Sequence, residues 1–298
     1  MTATAISPVG PVPVARSPRR VGLFRQALRL WRTRIGLGLV LVLVVLALAG
    51  PLFAPHTATA FIDVPNSTPS SKATLGTDYL GQDVLSRFLL GGRSILTLAV
   101  VSTVVGLVVG LAVGLVAAYS RNALDEILMR GTDVILAFPQ IMLALVAVAV
   151  VGPHAWVIVV AISLTTAPRV ARVARGAAQP VVERDFIASA EALGVSRWRI
   201  LTRELLPNVL SPLLVEASLR LTYSIGVIAA LAFLGLSTNA NGADWGTMIQ
   251  QNQIALAVQP WGVLAPVLAI GLLTMGTGLV GDGIARAAAG IDRGQEAA

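Results

Sequence analysis

An all-α polytopic membrane protein with six transmembrane helices is the fold class this sequence predicts, and three observations carry that expectation. Charged residues make up 12% of the 298 positions against 55% hydrophobic, about half the charge of a soluble domain. Several apolar runs stay free of charge over the roughly 20 residues needed to cross a bilayer core of about 30 Å. The basic residues gather in alternate connections between those runs, the pattern that positive-inside topology demands.

Residues 35–54 form the first uncharged run. It reads as an uncleaved anchor rather than a signal peptide, because it reaches full spanning length and follows a long basic region. Ser17-Pro18-Arg19-Arg20 only faintly resembles a twin-arginine signal, and residues 1–15, with no period, read as disordered. The second run, 94–120, places Gly106, Gly110 and Gly114 on one helix face, a spacing that admits a close helix neighbour in lipid. Residues 134–168 are uncharged but too long for one perpendicular span, and Gly152-Pro153 interrupts them. The expectation is a helical hairpin, spans three and four. Spans five and six fall within 209–236 and 261–281.

Of 22 basic residues, 18 lie in the N-terminal segment, the second-to-third and fourth-to-fifth connections, and the tail. That face is assigned to the cytoplasm, with both termini on it. The net charge of +7 then resolves into +8 inside, −1 outside and zero within the membrane. It is a topology signal, which removes nucleic acid as a partner. With no cysteine and only His56 and His154, thiolate, disulfide, Cys-ligated metal and His-rich metal chemistry are excluded, and no catalytic or metal-binding residue is assigned.

Two hydrophilic stretches exceed what a connector needs. In the outer one, 55–93, Asp78 and Asp83 are candidates to cap a turn or the helix leading into span two, a role that spacing favours over a metal or substrate role. The inner one, 169–208, reads as two short amphipathic helices. The first carries Phe186, Ala190 and Leu193 on its apolar face, Gly194 ends it, Ser196 caps the second, and Trp198, Leu201 and Leu205 form the second apolar face. Periodicity alone allows either a hairpin on anionic lipid or a knob for a cytoplasmic partner. Glu216 and Arg220 are the in-span charges, spaced i, i+4 in the favourable order. A structural ion pair is favoured there over a functional role, with contact to a partner subunit as a variant. Asp244-Trp245-Gly246 reads as an interfacial aromatic anchor or a re-entrant piece, and His154 as a solvated loop residue.

The spacing from Gly194 to Leu206-Pro207, with Ala190 upstream, resembles the cytoplasmic signature of ABC-importer permeases: Glu-Ala-Ala, three residues, Gly, nine residues, Ile, one residue, Leu-Pro. Here Ala188 stands at the Glu position, Ser189 at the first Ala and Glu204 at the Ile. Leu75-Gly76-Thr77-Asp78 to Arg87 with Gly92-Arg93-Ser94, Asp125 to Arg130 with Phe138-Pro139, Phe233-Leu234-Gly235-Leu236 and Gly281-Asp282-Gly283 are similar to the C-type permease of the dipeptide, oligopeptide and nickel importers. Gln82 stands where that family usually has a basic residue.

The resemblance implies the type I importer permease architecture. It gives coupling to an ATPase to Ala188, Ala190, Glu191, Gly194, Val195, Ser196, Arg197, Arg199 and Pro207. It makes the outer loop, with Asp78, Gln82 and Asp83, the side facing a substrate-binding protein. The organisation it implies is a basic segment 1–34, a first helix 35–54, an external loop 55–93, a permease core 94–286 containing the coupling loop 169–208, and a tail 287–298. Implied partners are a homologous second permease, one or two ATPase subunits, the binding protein and membrane lipid. A phosphate-cradling loop requires a lysine after Gly, and Lys72, after Ser71, is the chain's one lysine. No cofactor is therefore expected on this chain, and ATP and Mg are expected on the ATPase. Peptide is the favoured cargo and nickel or its chelates the alternative. An ion-coupled secondary transporter, the rival of a different class, is disfavoured because no internal repeat is evident and Glu216 is the sole in-span acid.

Overall fold

A computed structural model describes residues 25–120, 123–238 and 242–289. The expected disorder of 1–15, and Arg16, Arg19, Arg20, Arg121 and Arg293, lie outside those residues. Nine helices are described: α1 (Trp31–Phe53), α2 (Val84–Ser120), α3 (Ala123–Leu136), α4 (Gln140–Val151), α5 (Ala155–Val182), α6 (Asp185–Ala192), α7 (Arg197–Phe233), α8 (Trp245–Asn252) and α9 (Trp261–Ala289). Among the described residues there is no strand, only the isolated bridges Phe61 to Gln82 and Thr77 to Asp83. Five helices are long and apolar enough to cross a membrane, and the bent pair α3–α4 brings the number to as many as six. The end of the bundle that carries residues 55–83 is termed outer, and the end that carries α6 inner.

Helix α2 starts at Val84 rather than at 94, and α5 runs on to Val182, through the first part of the expected coupling loop, and two further boundaries move for a local reason. The hairpin expected in 134–168 breaks twice, because α3 and α4 meet at a 79° bend around Phe138-Pro139 before the expected break at Gly152-Pro153. Proline pushes the residue before it out of the α region and lacks the N–H to continue the ladder. Span five was expected within 209–236, yet α7 begins at Arg197 and runs straight through Pro207. The turns over Ile200–Leu205 widen to π geometry, and the Leu206 N–H reaches back five residues to the Leu201 carbonyl. The wide turns fall immediately before a residue that has no N–H and whose ring crowds the carbonyl four back.

The centre of the bundle is the α2–α5 pair. A Cβ on Gly110 would stand 2.4 Å from the Ala167 carbonyl oxygen, and one on Gly114 would stand 2.4 Å from that of Ala171. The glycine stripe therefore lets two backbones touch, which in lipid is how helices gain dispersion energy without a hydrophobic driving force. Ser163 adds a hydrogen bond to the Ser102 carbonyl within that pair at 3.0 Å, and hydroxyls tie on α7 and α9, Thr103 to Ser224 at 3.1 Å and Thr222 to Thr277 at 2.8 Å. Most buried apolar side chains fall into an outer cluster around Ile95, Ile162 and Trp245 and an inner one around Val170, Ile187, Ile200 and Leu205, with a small third cluster of Ala27, Ile284 and Ala287.

Candidate coupling and pathway site

At the inner end, α6 stops in a complete Schellman arrangement. The Val195 N–H bonds to the Ala190 carbonyl and the Gly194 N–H to that of Glu191, both at 3.0 Å, with Gly194 at φ +73°. That left-handed backbone carries little cost only for glycine. Ser196 takes the N-cap position of the next helix in extended geometry, but its side chain makes no capping bond, so the hydroxyl contribution expected of it is absent.

The apolar faces expected of this hairpin hold for Ala190, Leu201 and Leu205 and are corrected for Phe186, Leu193 and Trp198. Ile187, Ile200 and Leu205 are the buried anchors, with Ala190, Val195 and Leu201 half-buried beside them. Phe186, Leu193 and Trp198 point outward, Leu193 at 83% and Trp198 at 75% exposure. The helical register rotates because the half-turn at 193–196 redirects the chain, a displacement that periodicity within either short helix does not report. Ala188, Glu191, Gly194, Ser196, Arg197 and Arg199 are exposed on the same knob, and Pro207 is half-buried at its base.

Behind the knob, α3 is braced to α5. Arg175 donates from Nε and Nη2 to the two carboxylate oxygens of Asp125, both at 2.6 Å, the bidentate fork that gives such pairs strength and direction. Arg172 pairs with Asp133 one turn away. These partners lie 50 and 39 residues apart in sequence, so no spacing rule reports them.

Within the membrane, Arg220 Nε lies 2.9 Å from Glu216 Oε1, and both side chains are buried. The guanidinium also sits over the Tyr223 ring, 4.9 Å from its centroid. Such stacking on an aromatic face adds to the attraction of the acid.

The outer loop folds inward. Asp78 Oδ1 accepts the Leu80 and Gln82 N–H groups, each at 2.8 Å, while Oδ2 pairs with buried Arg87. Asp83 caps α2, its Oδ2 accepting from the Ser86 N–H at 3.0 Å and from the Ser86 hydroxyl. Capping was the role favoured for these acids. Both carboxylates are buried, whereas Gln82 is half-exposed. His56 Nδ1 lies 3.4 Å from Asp83 Oδ2, and His154 stands exposed at the start of α5.

Trp245 is the other correction. It is 0% exposed, stacked on Phe88 at 5.5 Å, with its Nε1–H donating to the Phe88 carbonyl at 2.9 Å. It is a protein-buried pin between α8 and α2 rather than an anchor in the lipid interface. Asp244 caps α8 through the Gly246 and Thr247 N–H groups, and burial pushes its carboxyl above the usual range against those bonds.

Residues 106–289 match the family model described as binding-protein-dependent transport system inner membrane component. The chain belongs to that family. Relatives include the glutathione transport system permease protein GsiD of Pectobacterium atrosepticum, 36% identical over 77% of each chain. The dipeptide transport system permease protein DppC of Alkalihalophilus pseudofirmus is 32% identical over 88% of this chain and 86% of that one. The di/tripeptide permease DppC of Pseudomonas aeruginosa is 34% identical over 84% of each. The same fold is seen in an inward-facing structure of the MetNI methionine ABC transporter, with a TM-score of 0.54 over 68% of this chain and 96% of that one at 22% identity. The resemblance to peptide-type ABC importer permeases drawn from the signature residues is thereby confirmed, as is the multi-pass membrane architecture. The relatives are permease components of transporters, not enzymes.

Proposed function

We propose that this chain is the transmembrane permease subunit of an ATP-driven importer of di- and oligopeptides. It pairs with a second, homologous permease around the translocation path, receives cargo from an external binding protein, and has both termini in the cytoplasm. ATP hydrolysis belongs to one or two separate ATPase subunits. Their motion enters through the α6 knob, with Ala188, Glu191, Gly194, Ser196, Arg197 and Arg199 at the contact and Ala190, Val195 and Pro207 holding it.

The observation that carries this reading is the knob itself. Leu193 and Trp198 stand out from the inner end beside two arginines, while Ile187, Ile200 and Leu205 fix their base in the inner cluster. Large exposed apolar groups rimmed by charge mark interaction surfaces, and aromatic and arginine side chains dominate binding hot spots. Peptide as cargo is supported by the relatives, which are glutathione, dipeptide and di/tripeptide transport permeases.

The test is the double variant Leu193→Ala/Trp198→Ala in the assembled importer. Peptide-stimulated ATP hydrolysis is expected to fall at least about tenfold, because losing one or two hot-spot side chains costs roughly 2 kcal/mol or more. Membrane insertion is expected to stay at the parental level. Parental transport by this variant sinks the coupling assignment.

A further inference from the structure

The inner end of α1 gathers cations that no described acid neutralises. The first 34 residues hold seven arginines and no acid. Four of them, Arg25, Arg29, Arg32 and Arg34, are described, and all four are exposed. On α3 and α5 the arginines of this end are paired, Arg130 with Glu126, Arg172 with Asp133 and Arg175 with Asp125. Among the described residues no carboxylate forms an ion pair with any of the four on α1 and its approach. Asp282, the acid of α9, makes no such pair either, and Arg286 adds an exposed cation to the last turn of that helix.

Packing fixes which way these side chains face. Ala27 is buried with Ile284 and Ala287 of α9, Thr33 lies against Gly283, and a Cβ on Gly36 would stand 2.7 Å from the Gly276 carbonyl oxygen. One side of residues 27–36 is thereby taken up by α9, and the arginines stand on the others. Arg34 folds back, its Nε donating to the Leu28 carbonyl at 2.8 Å, which ties the turn before α1 to its first turn. Leu28, Trp31 and Ile35 are exposed among the arginines, Trp31 at 71%. Farther along α1 the exposed side chains include Leu37, Leu41, Val42 and Val45, an aliphatic surface suited to the bilayer core. Trp31 stands where that surface meets the cations, the headgroup level that Trp favours. The cations also oppose their own helix. The first turn of α1 contains Arg32 and Arg34 and no acid, although a helix start carries partial positive charge. Topology requires basic residues only within about 15–20 residues of the span, not in its first turn.

We propose that Arg25, Arg29, Arg32 and Arg34, with Trp31 at their edge, form a docking surface for anionic phospholipid headgroups. Guanidinium groups pair with phosphate oxygens through two parallel N–H donors, and each juxtamembrane arginine favours anionic lipid by about fivefold. Trp31 and Ile35 then lie along the upper acyl chains. Lipid rather than a protein partner is assigned because the patch runs without a break into the aliphatic surface of α1 and carries its exposed indole at the junction. The surface is independent of the cargo and needs only that α1 crosses the membrane.

The experiment uses the complete importer in phosphatidylcholine vesicles and follows quenching of Trp31 fluorescence by brominated lipid. The Trp31 signal is the part lost in Trp31→Phe. Brominated phosphatidylglycerol and brominated phosphatidylcholine are compared at equal, low fractions. Phosphatidylglycerol is expected to bind beside Trp31 at least about tenfold more tightly, and the preference should shrink as salt is raised. The variant Arg25→Gln/Arg29→Gln/Arg32→Gln is expected to bring the two lipids near parity, while the three matching Lys substitutions keep most of the preference. Equal quenching by both lipids in the parent, a preference unmoved in the Gln variant, or equal losses in the Gln and Lys variants would overturn the headgroup surface. So would quenching by neither lipid, which would place a protein over Trp31. The parental preference and its salt dependence need no variant, so a Gln variant that fails to insert still leaves a decisive measurement.

Discussion

The outer and inner ends of this bundle are built on opposite plans. Outside, the loop over residues 55–83 is sewn down by buried polar side chains. The Tyr79 N–H bonds to Asn252 Oδ1 at 3.1 Å, the Arg87 Nη2 donates to Gln251 Oε1 at 3.1 Å, and Gln259 Nε2 donates to the Leu75 carbonyl. Loop, α2 and α8 are thereby one body. Inside, the α6 knob is held by its own backbone cap and three apolar anchors, and it presents Leu193 and Trp198 to the surroundings. The contrast teaches that buried polar pairing fixes the geometry of the outer end, while the inner knob leaves large apolar and charged side chains exposed.

Breaking the outer body should be the most damaging change. Arg87→Met leaves the Asp78 carboxylate buried with one oxygen unpaired, and removing one partner of such a pair costs about 3–5 kcal/mol. Detergent-solubilised protein should show a much lower melting temperature, and adding Asp78→Asn should recover part of the loss. A melting temperature unchanged in Arg87→Met would mean that the outer loop is not tied through this pair.

Next in size is a change common to both ends, at the seam that joins them. Gly110→Val places carbon where the Ala167 oxygen stands, and overpacking of a close helix contact costs about 1–3 kcal/mol or more. Gly271→Ala on α9, where an added Cβ meets nothing within 4 Å, is the control and should express and melt as the parent does. Equal behaviour of the two variants would refute the glycine seam.

At the inner end Gly194→Val should act locally. Its Cβ meets no neighbour within 4 Å, so the cost comes from the left-handed backbone alone, about 1–3 kcal/mol. Gly194→Asn, which tolerates that conformation better, should retain more peptide-stimulated ATP hydrolysis than Gly194→Val at equal insertion. The reverse order would show that space rather than backbone conformation governs the position.

The smallest effect belongs to Asp244. Its carboxyl is raised from the ordinary 3.8 by burial, opposed by the Thr247 and Gly246 N–H groups. The folded state therefore holds the proton more tightly than the unfolded one. Stability from this group falls as pH rises from about 3.8 towards the raised value and is level above it. Asp244→Asn keeps an acceptor for the cap and should remove that slope from the melting-temperature profile without changing transport. Asp63, on the exposed side of the outer loop, is lowered by the Val64 N–H and by Lys72 and slopes the other way, so the variant must be compared with the parent over the same pH range.

How much of this was legible beforehand depends on the length scale of each feature. Long uncharged runs, the glycine stripe, the i, i+4 pair Glu216–Arg220 and the Gly194 stop are all local in sequence, and the structure places them where spacing said. The α3–α4 bend was missed although Phe138-Pro139 was in view, because freedom from charge was read as continuity while a proline break is steric. The faces of the knob were misassigned because Phe186, Leu193 and Trp198 are apolar by composition and exposed by position. Trp245 was read as an anchor from residue type, whereas its burial rests on Gly91 and Gly92 of α2, which leave room for the indole.

Hydropathy, charge bias and short-range backbone chemistry determined the membrane class, the number of spans within one, the assigned orientation and the family signature. All are properties of neighbours along the chain or of sums over it. Which polar groups are buried, and with whom, was decided in three dimensions. The Asp125–Arg175 brace, the Asp78–Arg87–Gln251 body and the Thr103–Ser224 hydrogen bond join residues far apart in sequence. Their energies depend on desolvation and on the angle between donors and acceptors, and both quantities come into existence only when the helices pack.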